Sequence, residues 1–122
     1  MRTTGYATEN NLDRLAGKWL EEIESSVAAR DHLVVDPGRC ALLVVDMLRY
    51  FAHPEGRCFI PAAGAIAPRV RRLLAAWRAA GGIVVFTRHC HTGDGDLGML
   101  GRFFSDYIRK GEPDAAIIDE LT

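Results

Sequence analysis

The side chains of this chain best suited to chemistry are the carboxylate of Asp46, the imidazoles of His89 and His91, and the thiols of Cys40, Cys58 and Cys90. Asp46 closes the aliphatic run Ala41-Leu-Leu-Val-Val-Asp46. A run that apolar reads as a strand covered on both faces of a parallel sheet, and such sheets bind ligands beyond the carboxyl ends of their strands. A carboxylate at that place can take or give a proton. It can equally be a turn residue capping Met47 to Phe51, and residue types alone leave the two readings even. A thiolate beside a base can attack a carbonyl carbon, so Cys90, between His89 and His91, could form a Cys–His pair. A small apolar residue filling a strand end is the reading its neighbours favour. Three cysteines, an odd number without zinc-site spacing, argue for free thiols over a disulfide framework or structural metal.

Two strands and a helix must position these groups. Ile83-Val-Val-Phe-Thr87 reads as a second buried strand, and Arg88, His89, Cys90 and His91 follow its end. Between the strands, Ile66, Val70, Leu73, Leu74 and Trp77 recur at helical spacing over roughly Ala65 to Ala80, with Arg69, Arg71 and Arg72 on the wet side. Pro68 is tolerable only near the first turn, and Gly81-Gly82 stops the helix because glycine accepts the left-handed conformation that closes a helix end. The connection is long enough for a parallel crossover, which is right-handed in nearly all cases, so both strands point the same way and Asp46 and the Thr87–His91 segment should share one end of the sheet. Upstream, Leu12, Leu15, Ala16, Trp19, Leu20, Ile23 and Val27 form a stripe from Asn11 to Ala29, separated from the first strand by Asp36-Pro37-Gly38. That helix is an appended arm able to pack on its own domain or on a neighbouring subunit. Downstream come a short helix carrying Leu97, Leu100, Phe103, Phe104 and Tyr107, and the apolar stretch Ala115-Ala-Ile-Ile118.

Composition bounds the rest. With 122 residues, 48% hydrophobic and 25% charged, the chain is expected to form one soluble globular domain. A net charge of -1 offers no general attraction to nucleic acid or an anionic membrane. No apolar stretch approaches the ~20 residues needed to span a bilayer, and Met1-Arg-Thr-Thr-Gly-Tyr6 lacks a signal-peptide core, so the expected location is the cytoplasm. Two parallel strands leave two open edges whose backbone groups need partners. Either the chain is the amino-terminal part of a larger domain, or another chain completes its sheet.

In this order and spacing, several segments resemble the isochorismatase-like hydrolases, a family that includes nicotinamidases and N-carbamoylsarcosine amidohydrolase. They are Ala41-Leu-Leu-Val-Val-Asp-Met47 with Phe51, Trp77-Arg-Ala-Ala-Gly81, Ile83-Val-Val-Phe-Thr-Arg-His89, and Gly111-Glu-Pro-Asp-Ala-Ala-Ile-Ile-Asp-Glu-Leu121. The resemblance covers roughly Cys40 to Leu121. It implies an α/β fold, a three-layer Rossmann-like parallel sheet with flanking helices, incomplete in this chain. Residues 1–35 would be the amino-terminal helical arm, and 36–122 the amino-terminal portion of the hydrolase domain. Amidases of the family resemble one another in using an aspartate that deprotonates a cysteine, a thiolate that attacks an amide carbonyl, and a lysine that supports the developing charge before a thioester is hydrolysed. Asp46 matches the aspartate and is the expected catalytic residue; Phe51, Arg88 and His89 are expected to bind substrate. Lys18 and Lys110 match no strand-borne lysine, and no cysteine stands in a Gly-Val-x-Thr-x-x-Cys-like setting, so the triad would be completed by residues beyond this segment.

The resemblance has departures. Met47-Leu-Arg-Tyr-Phe51 stands where the family commonly reads Met-Gln-Asn-Asp-Phe, which weakens assignment to nicotinamidases. Some relatives hold a metal through Asp-x-His where this chain has His89-Cys90-His91. Imidazoles at i and i+2 on an extended segment point to opposite faces, so separate roles are expected, with no metal and no cofactor. Gly93-Asp-Gly-Asp-Leu-Gly98 fits a dinucleotide pattern by letter, but two aspartates would repel a pyrophosphate and the segment reads as a flexible loop; calcium is disfavoured because no bidentate glutamate follows. The leading expectation is therefore hydrolysis of a C–N bond in a small amide. Alternatives are a non-catalytic subunit or interaction module completed by a partner, a vinyl-ether hydrolase of isochorismatase type with Asp46 as proton donor, and, more weakly, a flavodoxin-like nucleotide binder. Expected partners are a small-molecule substrate and a second copy or partner chain completing the sheet, with neither nucleic acid nor membrane.

Overall fold

The computed structural model describes residues 6–24, 26 and 34–122. Strand β1 (Ala41–Val44) and strand β2 (Ile83–Phe86) form a parallel two-stranded sheet in the register Ala41↔Ile83 to Val44↔Phe86. Helices α1 (Leu12–Glu24), α2 (Arg49–Ala52), α3 (Pro61–Ala79) and α4 (Leu100–Phe103), with three 3-10 turns, make up the remaining described elements. The architecture is α/β, and α2 and α3 form the crossover between the strands.

The crossover closes as its glycines dictate. Gly81 has φ 74°, its N–H donates to Arg78 O at 3.0 Å, and the Gly82 N–H donates to Trp77 O at 3.0 Å. This doubly bonded glycine terminus satisfies carbonyls that the last helical turn leaves open. A side chain at residue 82 would run into the Trp77 ring, whose Nε1–H donates to Ile83 O at 2.9 Å.

The start of α3 differs from expectation. The helix begins at Pro61 rather than near Ala65, because proline with its preset φ is favoured at a first helical position. Pro68 consequently lies inside the helix, seven residues in, where it offers no N–H to the carbonyl of Gly64.

Core packing is one-sided. Val44, Ala67, Leu74, Ile118 and Leu121 are buried together, with Leu42, Val70, Val84 and Phe86 packed against them. On the opposite face Leu43, Val45, Ile83 and Val85 are 55, 59, 67 and 43% exposed. The expected coverage of both faces is therefore not met among the described residues: alternate side chains of a strand point to opposite faces, and α3 covers only one.

Helix α1 docks on the chain's own α3. Ala7, Leu12 and Leu15 cluster with Ala65, and Trp19 and Ala62 pack alongside. Arg69 reaches Asp13 at 2.5 Å, so this arginine ties two helices together, while Arg71 and Arg72 are exposed as expected. Leu20 and Ile23 are exposed. The part of the expected arm helix at residues 25 and 27–29 lies outside the described residues.

The segment after β2 is knit by one side chain. Arg57 reaches Asp106 at 2.9 Å, Glu112 at 2.8 Å and Asp114 at 2.7 Å, donates to Tyr107 O at 3.3 Å, and lies over the Tyr50 ring. The guanidinium is partly exposed, so water screens each pair; Arg57→Ala is expected to cost about 1 kcal/mol. Removing it leaves carboxylates facing one another, so the deficit should shrink in high salt. Urea denaturation at low and high ionic strength checks this, and a deficit independent of salt would contradict it.

Candidate active site

Asp46 stands just past the end of β1, where the backbone turns away from the sheet. Its φ is 50°, the only positive φ at a non-glycine residue among the described residues. Aspartate tolerates that region better than most side chains, and such conformations persist where surrounding contacts hold them. Here the holder is Thr87, at the corresponding end of β2. The Asp46 N–H donates to Thr87 Oγ1 at 3.1 Å, and the Thr87 hydroxyl donates to Asp46 Oδ1 at 2.7 Å. The Leu48 N–H donates to Asp46 O at 2.7 Å, tightening the turn.

Beneath this turn runs the stretch Ala116–Ile118. Leu48 and Ile117 form an antiparallel bridge, Arg49 N–H donates to Ala116 O at 2.8 Å, and Ile118 N–H donates to Met47 O at 3.1 Å. The apolar Ala115–Ile118 segment thus buttresses the aspartate from below.

The parallel pairing brings Asp46 and the Thr87–His91 segment to one end of the sheet, as expected. A cleft of about 260 Å³ opens there, walled by Tyr50, Phe51, Cys58, His89, Phe104 and Ile108 among others. Phe51 and His89, two of the three expected substrate-binding residues, line it. Arg88 is exposed and does not, and Asp46 is not among the lining residues either, its carboxylate being drawn back to Thr87. Cys90 packs against the cluster of Leu48, Ile108 and Ala115, a small apolar filler.

The two histidines depart from the expected opposite faces. Regular strand ends at Phe86, and His91 is held by an isolated bridge in which its N–H donates to Ile108 O and the Lys110 N–H donates to its carbonyl, each at 2.8 Å. Strand alternation therefore no longer applies, and His89 Nε2 and His91 Nε2 lie 3.0 Å apart. His91 Nδ1 is 3.1 Å from Asp96 Oδ1. Among the described residues no group of three or more His, Cys, Asp or Glu side chains could hold a metal.

Asp96 is a residue that sequence reasoning missed. Its loop takes a 3-10 turn (Asp94–Asp96), and Asp96 Oδ2 accepts from both the backbone N–H and the hydroxyl of Thr92, each at 2.8 Å. The one available signal was an aspartate four residues after a threonine with glycines between, which a loop can wrap back upon itself. The Thr92 N–H chiefly, then the Thr92 hydroxyl, with a smaller effect of His91, holds the carboxyl at about 2. Because the folded value lies below the ordinary 3.8, the stabilisation is fully present above that pH and is lost as pH falls through about 2. The Thr92 amide resonance should titrate near the lower value; a midpoint near 3.8 would contradict the hydrogen bonds.

Around the cleft, the tyrosine hydroxyls are engaged. Tyr50 Oη donates to Asp106 Oδ2 at 3.4 Å, and Tyr107 Oη donates to Asp94 Oδ1. Burial, then the Asp106 carboxylate, raises the Tyr50 phenol above its ordinary value; the hydrogen bond to Asp94 chiefly does the same for Tyr107. Both remain protonated donors at neutral pH.

A parallel strand–helix–strand unit with a carboxylate clasped at the carboxyl end of its first strand has the build of an open α/β sheet, a class in which ligands bind beyond the strand ends. The chain belongs to the isochorismatase family: residues 40–122 match the family model for the Isochorismatase domain. It is similar in structure to a cysteine hydrolase from Pseudomonas syringae pv. phaseolicola 1448A, with a TM-score of 0.67 and 28% identity, over 78% of this chain and 47% of that one. The chain thus spans about half the length of that relative. No curated protein gives a significant match.

Proposed function

We propose that this chain supplies the general-base half of a cysteine-hydrolase site that cleaves the C–N bond of a small amide. The observation that carries the proposal is Asp46, held in a left-handed backbone conformation at the sheet end and oriented by the Thr87 hydroxyl. Asp46 would take the proton of a cysteine thiol, the thiolate would attack the amide carbonyl, and the proton would pass to the leaving amine. Water would then release the acid from the thioester. Lys18 is paired with Glu22 on α1, and Lys110 is exposed beside His91, so in this reading the lysine and the nucleophilic cysteine come from polypeptide outside this segment. The cleft bearing Phe51 and His89 is the proposed seat of the substrate.

A second reading is favoured by the exposed face of Leu43, Val45, Ile83 and Val85. It makes the chain an interaction module whose sheet a partner chain covers. Asp46→Asn separates the two: the hydrolase loses turnover, whereas a purely structural module keeps both its assembly and the activity of the complex.

No helix among the described residues is long and apolar enough to cross a membrane.

A further inference from the structure

We infer that Asp96, His91 and His89 form a hydrogen-bond chain that fixes His89 Nδ1 as an acceptor, so the cleft selects ligands that bring an N–H or O–H donor and rejects carboxylates. This deepens the hydrolase reading, because it rests on the cleft being the substrate seat.

The polarity follows from the order of the atoms. An ionised carboxylate accepts only, so His91 Nδ1 must carry the proton that bridges to Asp96 Oδ1 at 3.1 Å. With both rings neutral, His91 Nε2 is then bare and can only accept. The partner at 3.0 Å, His89 Nε2, must donate to it. That leaves His89 Nδ1 unprotonated on a ring that lines the cleft. The chain is anchored at its far end, where Thr92 occupies the other oxygen of Asp96 twice over, and His91 is only 9% exposed.

The other polar groups of the cleft agree in sign. Asp106 is a carboxylate, and the Tyr50 and Tyr107 hydroxyl protons are already given to Asp106 and Asp94. The nearby cations Arg57 and Arg109 both face carboxylates: Arg57 those of Asp106, Glu112 and Asp114, and Arg109, which lies over the Tyr107 ring, those of Asp94 at 3.6 Å and Glu112 at 4.0 Å. Its side chains therefore offer aromatic and aliphatic walls, acceptors, and the weak donor of the Cys58 thiol. A flat, donor-bearing amide satisfies these acceptors. The acid made by its hydrolysis brings only acceptors and a negative charge, so the same lining favours substrate entry and product departure.

The test uses the full chain and three probes of one shape: benzamide, acetophenone, in which a methyl replaces the amide nitrogen, and benzoate. Nitrogen-15 NMR at about pH 8, above the ordinary histidine range, should show His91 protonated at Nδ1 and His89 at Nε2. Benzamide should shift the His89 Nδ1 resonance and bind at least about tenfold more tightly than acetophenone or benzoate. Asp96→Ala should mix the tautomers and reduce that preference while acetophenone binding persists. His89 protonated at Nδ1, or equal binding of the three probes, overturns the inference. Absence of any probe from the cleft overturns it too, whereas failure of the hydrolase reading shows separately, as probe discrimination retained in this chain while turnover, measured with the polypeptide that supplies the lysine and cysteine, is indifferent to Asp46→Asn.

Discussion

Asp46→Asn should lower amide turnover about 10²- to 10⁴-fold in the assembly that provides the lysine and cysteine, the range for loss of a positioned general base. Asparagine keeps the size of the side chain and an oxygen to accept from the Thr87 hydroxyl, whose own oxygen still receives the residue-46 N–H. It also tolerates the left-handed backbone at φ 50°. The change therefore removes proton transfer and little else. The loss should fall on kcat, with KM nearly unchanged, because the carboxylate does not line the cleft proposed to hold substrate. Stability should stay within about 0.5 kcal/mol of the original, as for substitutions that break no packing. Steady-state kinetics with a small amide, together with denaturant unfolding of the chain, decide the matter. Turnover within twofold of the original would remove Asp46 from the chemistry.

Leu48→Ala should cost about 2–5 kcal/mol, the usual range for emptying a buried leucine site. Leu48 is 0% exposed and packs with Ile108 and Ala115, beside Phe51 and Cys90. It sits at a junction: as the residue preceding α2, its carbonyl accepts from the N–H groups of Phe51 and Ala52, and its backbone bridges to Ile117. Truncation leaves a void directly beneath the Asp46 turn and beside the cleft. A domain of this size has about 5–15 kcal/mol in total, so the variant spends a large share of its stability on one side chain. The unfolding midpoint should fall with an unchanged slope. Val45→Ala on the exposed sheet face is the control and should move stability by less than about 0.5 kcal/mol. Equal effects of the two substitutions would mean that the assigned core is wrong.

Much of this arrangement was legible in the sequence because it depends on local order. The stripe from Leu12 to Ile23 required an amphipathic helix, and within the described residues α1 answers it. Gly81-Gly82 between an apolar helix and an aliphatic run required a helix stop followed by a strand, and the parallel direction followed from the crossover length. From these alone Asp46 and the histidine segment had to meet at one sheet end. Family membership was legible too, in the order of short motifs from Cys40 onward, and residues 40–122 match the family model.

What lay beyond reach depended on where the chain stops being regular. Alternation along a strand told His89 and His91 apart, but the strand ends at Phe86, and a bridge to Arg109 turned both rings toward each other. Likewise, an aliphatic strand implied two covered faces, yet burial is a property of the neighbours a strand finds, and α3 covers only one side.

Local periodicity and turn chemistry are written residue by residue, so the sequence by itself determined the arm helix, the crossover helix and its glycine stop, the two strands, their parallel sense and the position of Asp46, whereas α3 starts earlier than expected, at Pro61, and the expected helix from Leu97 to Tyr107 is only Leu100–Phe103. Contacts between distant segments decided the rest: Thr87 clasping Asp46, Asp96 reaching back to His91, and Arg57 binding three carboxylates. Such contacts depend on distances between segments tens of residues apart or on the exact path of a loop, and only the folded chain sets those.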